Sequence, residues 1–146
     1  MNFDDIELVS EKQIVFCRKL GLDVSGNSVS VAAAKINEVI QRQFWGSPIN
    51  ESPTDKQISL AKKFGIDISH MSRLVGDAVI NDIMTQLNAN AIKEQGLRPG
   101  LRVRKVYDKT SREYIISSIR PDGTVYFKGG NGQRAWARNL VSLEKA

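Results

Sequence analysis

Two stretches of this chain carry the same pattern of hydrophobic and polar positions, 44 residues apart. The text SEKQIVFCRKLGLDVS at 10–25 returns as TDKQISLAKKFGIDIS at 54–69. The alignment runs without a gap from 10–40 onto 54–84, and twelve of the thirty-one paired positions are identical. A repeat of this length is typical of a duplicated supersecondary unit. The pattern therefore predicts two copies of one helical unit.

Each copy has the signals of a helix, a tight turn and a second helix. Ser10 and Thr54 each stand three residues before a glutamine, which is the capping box of a helix start. Apolar residues follow at helical spacing until Gly21 or Gly65, where a left-handed residue can end the helix. A serine downstream is expected to cap the second helix. The candidates are Ser25 and Ser28 in the first copy and Ser69 and Ser72 in the second.

The repeat has a structural interpretation and a binding interpretation. A helical hairpin of about 30 residues is too small to bury its apolar face alone. Two copies packed about a pseudo-twofold axis would share one core, into which Leu22 and Ile66 insert from the turns. We therefore expect a four-helix domain of duplicated hairpins over residues 1–95. A direct role of the repeat surface in binding a ligand stays open.

From residue 96 onward the pattern becomes that of short strands. GLRPG at 96–100 ends the helical periodicity, and alternating runs follow at 101–107, 112–119, 124–128 and 134–138, with NLVSL at the end. The turn signals between them are RPDG at 120–123 and Asn131-Gly132. Short strands joined by tight turns predict a small closed five-stranded β-barrel over 96–146. The predicted fold class is therefore α+β.

Positive charge is concentrated in this last third. Residues 96–146 hold eleven Lys/Arg and four Asp/Glu, a net charge of +7, whereas residues 1–95 have a net charge of −2. An anionic partner is favoured for such a basic segment. On the predicted strands, arginines and aromatic residues together have the composition of a surface that binds phosphates and stacks bases. The nucleic-acid-binding candidates are Arg102, Arg104, Tyr126, Lys128, Arg134, Trp136 and Arg138.

Alternation along the strands orders these candidates. Arg134, Trp136 and Arg138 in RAWAR would share one face of a strand, whereas Tyr126 and Phe127 would face opposite sides, so that one of the two lies in the core. The alternative is that Trp136 lies in the core and that the arginines extend past it, with their charged ends in water.

Both halves resemble known families. The helix–turn–helix text with KLGLDVSGNS at its centre resembles the SAP-type helix–extended–helix module, which implies DNA binding, and parts of it look like segments of mobile-element and phage proteins. RPGLRVRKV, IRPDGTVYF and AWARNLVSL resemble the small barrels of the Src-homology, tudor and KOW type. Such barrels bind peptides, methylated side chains, RNA or DNA, so the second resemblance implies a fold and not an activity.

Groups for catalysis or metal binding are scarce in the sequence. The single histidine, His70, is expected at the surface, and the single cysteine, Cys17, in the core, where it can form no internal disulfide. No cysteine–histidine cluster provides a zinc site, and KGGNGQR lacks the order of a phosphate-binding P-loop. We therefore expect a protein that is not an enzyme and needs no metal or cofactor.

The amino-terminal text MNFDDIELVS is acidic and lacks the apolar segment of a signal peptide, and no apolar run reaches the length of a membrane span. A soluble cytoplasmic protein without a membrane partner is expected. The leading hypothesis is a non-enzymatic protein that binds DNA or RNA through the basic barrel with low sequence specificity, the helical repeats serving as a platform. The alternative is a protein–protein adaptor whose barrel holds a peptide or a partner subunit.

Overall fold

A computed structural model of the chain describes residues 3–43, 51–110, 112–129 and 133–144. Within these ranges, four helices precede five strands, which confirms the α+β class. The helices are α1 (Glu11–Lys19), α2 (Val29–Gln43), α3 (Asp55–Lys63) and α4 (Arg73–Gln95). The strands are β1 (Arg102–Lys105), β2 (Tyr114–Ile119), β3 (Thr124–Phe127), β4 (Arg134–Trp136) and β5 (Leu140–Ser142).

The chain divides into two units, Met1–Met84 and Thr85–Ala146. The division falls inside α4, so the last turns of this helix are counted with the strands. The sequence pattern predicted the border between residues 95 and 96, where the helix ends and the composition changes. Each unit has its own hydrophobic clusters.

The first helix of each copy begins at the predicted capping box. The Ser10 hydroxyl accepts a hydrogen bond from the Gln13 backbone N–H at 3.2 Å, and the Gln13 side chain accepts one from the Ser10 N–H at 2.8 Å. Thr54 and Gln57 make the same pair of bonds, at 3.2 and 2.9 Å. These reciprocal bonds satisfy two backbone donors that a helix start leaves without partners. The local sequence therefore determines where α1 and α3 begin.

The structure selects between the serines that could cap the second helices. Ser28 accepts the Val31 N–H at 3.1 Å, and Ser72 accepts the Val75 N–H at 3.2 Å, so these two cap α2 and α4. The earlier serine of each pair belongs to the preceding turn, where its backbone N–H donates to the aspartate two residues before it. The side chain of that serine, followed by its backbone N–H, is the main reason why the pKa values of Asp23 and Asp67 lie below the usual value.

The interior of the first unit differs in one detail from the prediction. Leu22 and Ile66, expected to insert into the core, are only half-buried, whereas Val24 and Ile68 are fully buried. Residues two apart share one side of an extended link. The residue further from the glycine turn is therefore the one that reaches the interior. Cys17 is buried beside Val24, as expected of a core residue.

A second cluster of the first unit joins α2 to α4. Val31 and Ala34 of α2 pack with Val75 of α4, and Met71, Leu74, Ala78 and Val79 cover their edges. Ser30 adds a polar contact, since its hydroxyl donates to the Asp82 carboxylate at 2.9 Å. The second helices of the two sequence copies therefore share apolar contacts.

Loss of a capping hydroxyl is expected to destabilise the first unit. Replacing Thr54 by alanine leaves the Gln57 N–H without its side-chain acceptor, and we expect a loss of about 1 kcal/mol in the free energy of unfolding. Chemical denaturation followed by circular dichroism measures this loss. Ser59→Ala is the matched control, since Ser59 lies exposed in the middle of the same helix. Equal stabilities of the two variants would contradict the role of the cap.

The strands of the second unit form one antiparallel sheet in the order β4-β3-β2-β1-β5. The sequence predicted a closed barrel, and this prediction is wrong for the described residues, because no pairing joins β4 to β5. Both edge strands have three residues, and a 3₁₀ turn at Ala137–Asn139 separates them. The chain therefore reaches the opposite edge of the sheet without forming a further ladder. The predicted Asn131-Gly132 turn lies outside the described residues.

The core of the second unit lies on one side of the strands. Its buried residues are Leu97, Leu101, Val103, Tyr114, Ile116, Val125, Phe127, Ala137 and Leu140. Ala91 and Ile92, from the last turns of α4, pack against this cluster. Phe127 belongs to the core, and its neighbour Tyr126 does not, as the alternation along β3 predicted. Tyr126 and its neighbours therefore lie on the side of β3 and β4 that faces away from the core.

No helix among the residues that the structure describes is long and apolar enough to cross a membrane.

Candidate functional site

The outward side of β3 and β4 carries two aromatic and two polar side chains. Tyr126 lies opposite Arg134 in the ladder, and Thr124 lies opposite Trp136. Val125, between Tyr126 and Thr124, is paired with Ala135 on the core side. Since successive side chains of a strand point to opposite faces, Tyr126, Arg134 and Trp136 share the outward face. Arg134 is exposed, and 41% of the Trp136 surface is exposed.

An arginine guanidinium lies over one side of each of the two aromatic rings. The Arg138 guanidinium carbon lies 5.2 Å from the Trp136 ring centroid, and that of Arg120 lies 5.4 Å from the Tyr126 ring centroid. Both distances are within the range of a cation–π interaction. The five residues that these contacts bring together are called the arginine–aromatic face. They are Arg120, Tyr126, Arg134, Trp136 and Arg138.

A buried asparagine holds Arg138 in place. The Asn88 side-chain oxygen accepts hydrogen bonds from the Arg138 backbone N–H at 3.1 Å and from its guanidinium at 3.3 Å. Asn88 is 2% exposed, and its amide nitrogen donates to the Asp122 carbonyl oxygen at 3.3 Å. Partial burial lowers the pKa of Arg138, an effect that nearby Tyr107 opposes. An arginine side chain nevertheless remains protonated in proteins, so Arg138 presents a fixed positive charge.

The turn between β2 and β3 fits closely against Asn88. Gly123 in this turn has φ +90°, and a Cβ on it would lie 2.5 Å from the Asn88 Cβ. The Gly123 carbonyl oxygen accepts the Ala137 N–H at 2.9 Å, which connects the turn to the segment that carries Arg138. Asp122 accepts the Thr124 N–H at 2.9 Å, and this bond is the main reason why the Asp122 pKa is lowered. Backbone and side-chain hydrogen bonds together therefore hold the turn after Arg120 and the segment that carries Arg138 in fixed positions.

The remaining predicted residues lie elsewhere on the second unit. Arg102 forms ion pairs with Glu113 and Glu144, each at 3.8 Å, so acidic neighbours reduce its net charge. Arg104 is exposed on β1, which β2 separates from β3. Lys128 is exposed just after β3, where its backbone N–H donates to the Ile115 carbonyl oxygen at 2.8 Å. Among the described residues, no hydrogen bond, ion pair or ring contact joins these three side chains to the arginine–aromatic face.

Sequence reasoning missed Arg120 and Asn88. Arg120 is the first residue of the RPDG turn. That text was read only as a turn between two strands, so Arg120 was not considered as a binding residue. Asn88 lies within a helical stretch, where its type has no local explanation, because asparagine is a weak helix former. An asparagine in a helix that precedes a strand-rich segment is a signal worth testing for a tertiary contact. Arg138 was predicted on a strand; it lies in the 3₁₀ turn and still reaches Trp136.

The arrangement suits binding more than proton transfer. Across the described part of the chain, no three His, Cys, Asp or Glu residues come together as a metal site. His70 is exposed, 3.9 Å from the Asp67 carboxylate, and Cys17 is buried in the core. The arginine–aromatic face offers guanidinium groups, which bind phosphate or carboxylate, and rings, which stack on planar groups. Among the described residues, no carboxylate lies within ion-pair distance of Arg120, Arg134 or Arg138.

Known proteins provide no independent assignment of this face. Comparison of the chain with known protein families, with curated proteins and with solved structures finds no match. The chemistry of the arginine–aromatic face is therefore the basis for assigning a function.

Proposed function

We propose that this chain is a non-enzymatic nucleic-acid-binding protein that uses the arginine–aromatic face. The observation that carries the proposal is an exposed tryptophan with one arginine guanidinium at cation–π distance from its ring and another arginine on the same strand face. Among the described residues, neither arginine is paired with a carboxylate. The target is DNA or RNA. The proposal narrows the predicted site, since Arg102 is engaged by Glu113 and Glu144.

Low sequence specificity follows from the groups that the face offers. Guanidinium groups bind phosphates in a planar, bidentate manner, and phosphates are the same along every sequence. Aromatic rings stack on any base because every base has a π-face. None of the five residues of the face is an asparagine or a glutamine, the residue types that read adenine edges. The proposed binding therefore depends on charge and stacking more than on base identity.

The proposal assigns the first unit a supporting role, as a platform built from two copies of one helical hairpin. Matching capping boxes and matching glycine turns support the duplication, with Gly21 and Gly65 both at φ +78°. Val31 and Val75, which are 44 residues apart, belong to one buried cluster. For the second unit, the consecutive antiparallel strands β1 to β4 support the proposed likeness to tudor- and KOW-type small barrels.

One observation favours a protein partner, although it concerns the first unit and not the strand-built unit to which the adaptor hypothesis assigned the peptide. The α1 helix and its C-terminal cap leave Val15, Phe16 and Leu20 exposed, and Phe16 is 61% exposed. Large apolar side chains on one short helix are typical of a surface that contacts another protein. In that alternative the protein partner binds independently of salt, because apolar contacts are not screened by ions.

A salt series with arginine variants tests the proposed function. Each phosphate contact steepens the dependence of log K on log salt by about 0.9 for duplex DNA and about 0.7 for a single strand. We expect Arg134→Ala and Arg138→Ala each to weaken binding of the full chain to nucleic acid and to lower this slope by about one such step. Fluorescence anisotropy of a labelled oligonucleotide measures both quantities.

Arg98→Ala is the matched control for these variants. It removes the same charge from the same unit, but Arg98 lies outside the face and faces Glu144 at 3.8 Å. Unchanged affinity and slope in Arg134→Ala and Arg138→Ala, or equal changes in Arg98→Ala, would show that the face is not the binding site. Capture of a protein partner that survives high salt and nuclease would favour the adaptor.

A further inference from the structure

The exposed Trp136 ring is the feature that phosphate binding alone does not explain. Phosphate contacts require the arginines and gain nothing from an indole. A large aromatic side chain that is 41% exposed leaves apolar area in contact with water, which is unfavourable. A planar base stacked against it would cover that area and would also lie near the Arg138 guanidinium. The face is therefore suited to receive bases as well as backbone.

Tyr126, which is half-buried, is a second aromatic residue at a related position. It is paired with Arg134, and Trp136 is two residues further along β4, so the two aromatic residues are diagonal neighbours on one side of the ladder. Such diagonal positions lie about 7–8 Å apart, within reach of two adjacent planar groups. Arg134 stands directly opposite Tyr126, and Arg120 and Arg138 each lie over one side of a ring. Rings and cations thus alternate over two neighbouring strands.

The state of the nucleic acid decides whether these rings can be used. In a duplex, each base is paired and stacked between its neighbours, so that only base edges are accessible, in the grooves. Aromatic side chains stack on bases of single strands, loops and ends, whose faces are free. The major groove of a duplex admits an α-helix or a two-stranded β-ribbon. The short strands β3 and β4, of four residues and three, belong instead to a five-stranded sheet.

From this geometry we infer that the arginine–aromatic face takes single-stranded nucleic acid, with successive bases on Trp136 and Tyr126 and phosphates at Arg120, Arg134 and Arg138. The inference rests on the proposed nucleic-acid function and specifies the substrate class of that site. Asn88 acts as a positioning residue, since its bonds hold Arg138 beside the indole before any ligand arrives. A preorganised side chain loses less conformational entropy on binding.

Fluorescence of Trp136 tests the inference in the full chain. The sequence contains two tryptophans, so Trp45→Phe makes Trp136 the only indole. The probes are an oligothymidylate, an oligouridylate and a DNA duplex of the same length. We expect both single strands to quench Trp136 and to bind about tenfold more tightly than the duplex at equal salt. The two single-strand arms compare DNA with RNA.

Substitution of the ring provides the second readout. In the same background, Trp136→Ala is expected to weaken single-strand binding about tenfold and to leave duplex binding unchanged, and Trp136→Phe is expected to retain most of the single-strand affinity. Phe16→Ala, which removes an exposed aromatic ring from the first unit, is the control and should change neither affinity. The quenching measurement keeps Trp136 intact and so does not depend on how the alanine variant folds.

Two results would overturn the inference while the proposed function stands. One is salt-dependent binding of a single strand without a change in Trp136 fluorescence. The other is equal weakening of single-strand and duplex binding by Trp136→Ala. Failure of all three probes to bind at low salt would overturn the proposed function together with the inference.

Discussion

Replacing Gly123 by alanine is expected to lower the free energy of unfolding of the second unit by about 3 kcal/mol or more. Two effects add. The backbone at Gly123 has φ +90°, a conformation that side chains with a Cβ rarely adopt. The new methyl group would also lie 2.5 Å from the Asn88 Cβ and 2.6 Å from its amide nitrogen. Because Asn88 is buried and belongs to a helix, it cannot move aside without losing its bonds to Arg138.

Gly100→Ala separates the two effects. Gly100 has φ +89°, nearly the angle at Gly123, and a Cβ there would meet no atom within 4 Å. This control therefore shows the backbone strain alone, and the difference between the two variants measures the collision with Asn88. Denaturant titrations of both proteins, followed by circular dichroism, supply the comparison. Equal losses in the two variants would mean that the turn does not pack against Asn88 as described.

Ile116→Ala is expected to cost about 2–5 kcal/mol, because it leaves a cavity in the core of the second unit. Ile116 is 0% exposed and pairs with Phe127 across β2 and β3. Its removal takes apolar contacts from the cluster on which both strands of the arginine–aromatic face are built. We therefore expect this variant to unfold at a lower temperature than the unchanged protein and to lose nucleic-acid binding when it unfolds, although Ile116 does not lie on the face.

Ile115→Ala is the matched control on the same strand. Ile115 is 40% exposed and faces away from the core, and a substitution at such a surface position usually changes stability by about 0.5 kcal/mol or less. Thermal unfolding of the two variants under one condition makes the comparison. A large loss in Ile115→Ala, or a small one in Ile116→Ala, would mean that the register of β2 is shifted by one residue.

Features that depend on near neighbours in the chain could be predicted from the sequence. The capping boxes at Ser10 and Thr54 involve residues three apart, so the text alone contains both partners. The opposite orientation of Tyr126 and Phe127 follows from alternation along one strand. Local geometry of this kind is determined within a few residues, and the structure reproduces it.

Features that depend on distant partners could not be predicted in this way. Whether β4 and β5 pair is decided by where their segments arrive in space, and a short 3₁₀ turn between them changes the outcome. The hydrogen bond between Asn88 and Arg138 joins residues 50 apart in the sequence. The ion pair of Arg102 with Glu144 likewise joins residues far apart in the sequence. On charge alone, Arg102 and Arg138 were equal candidates for nucleic-acid binding. Only their neighbours separate an arginine held by acids from one held on an indole.

Helical residues that pack against the strands determine where a fragment containing the strand-rich unit has to begin. Asn88, Ala91, Ile92 and Gln95 all lie before Gly96, and the Gln95 side chain accepts the Ser142 N–H at 2.9 Å. Excision at the change of composition would remove the acceptors of two backbone donors and open one side of the apolar cluster. The smallest portable piece of the chain therefore starts upstream, inside the helix, and a fragment trimmed to the basic segment would be an unfinished fold.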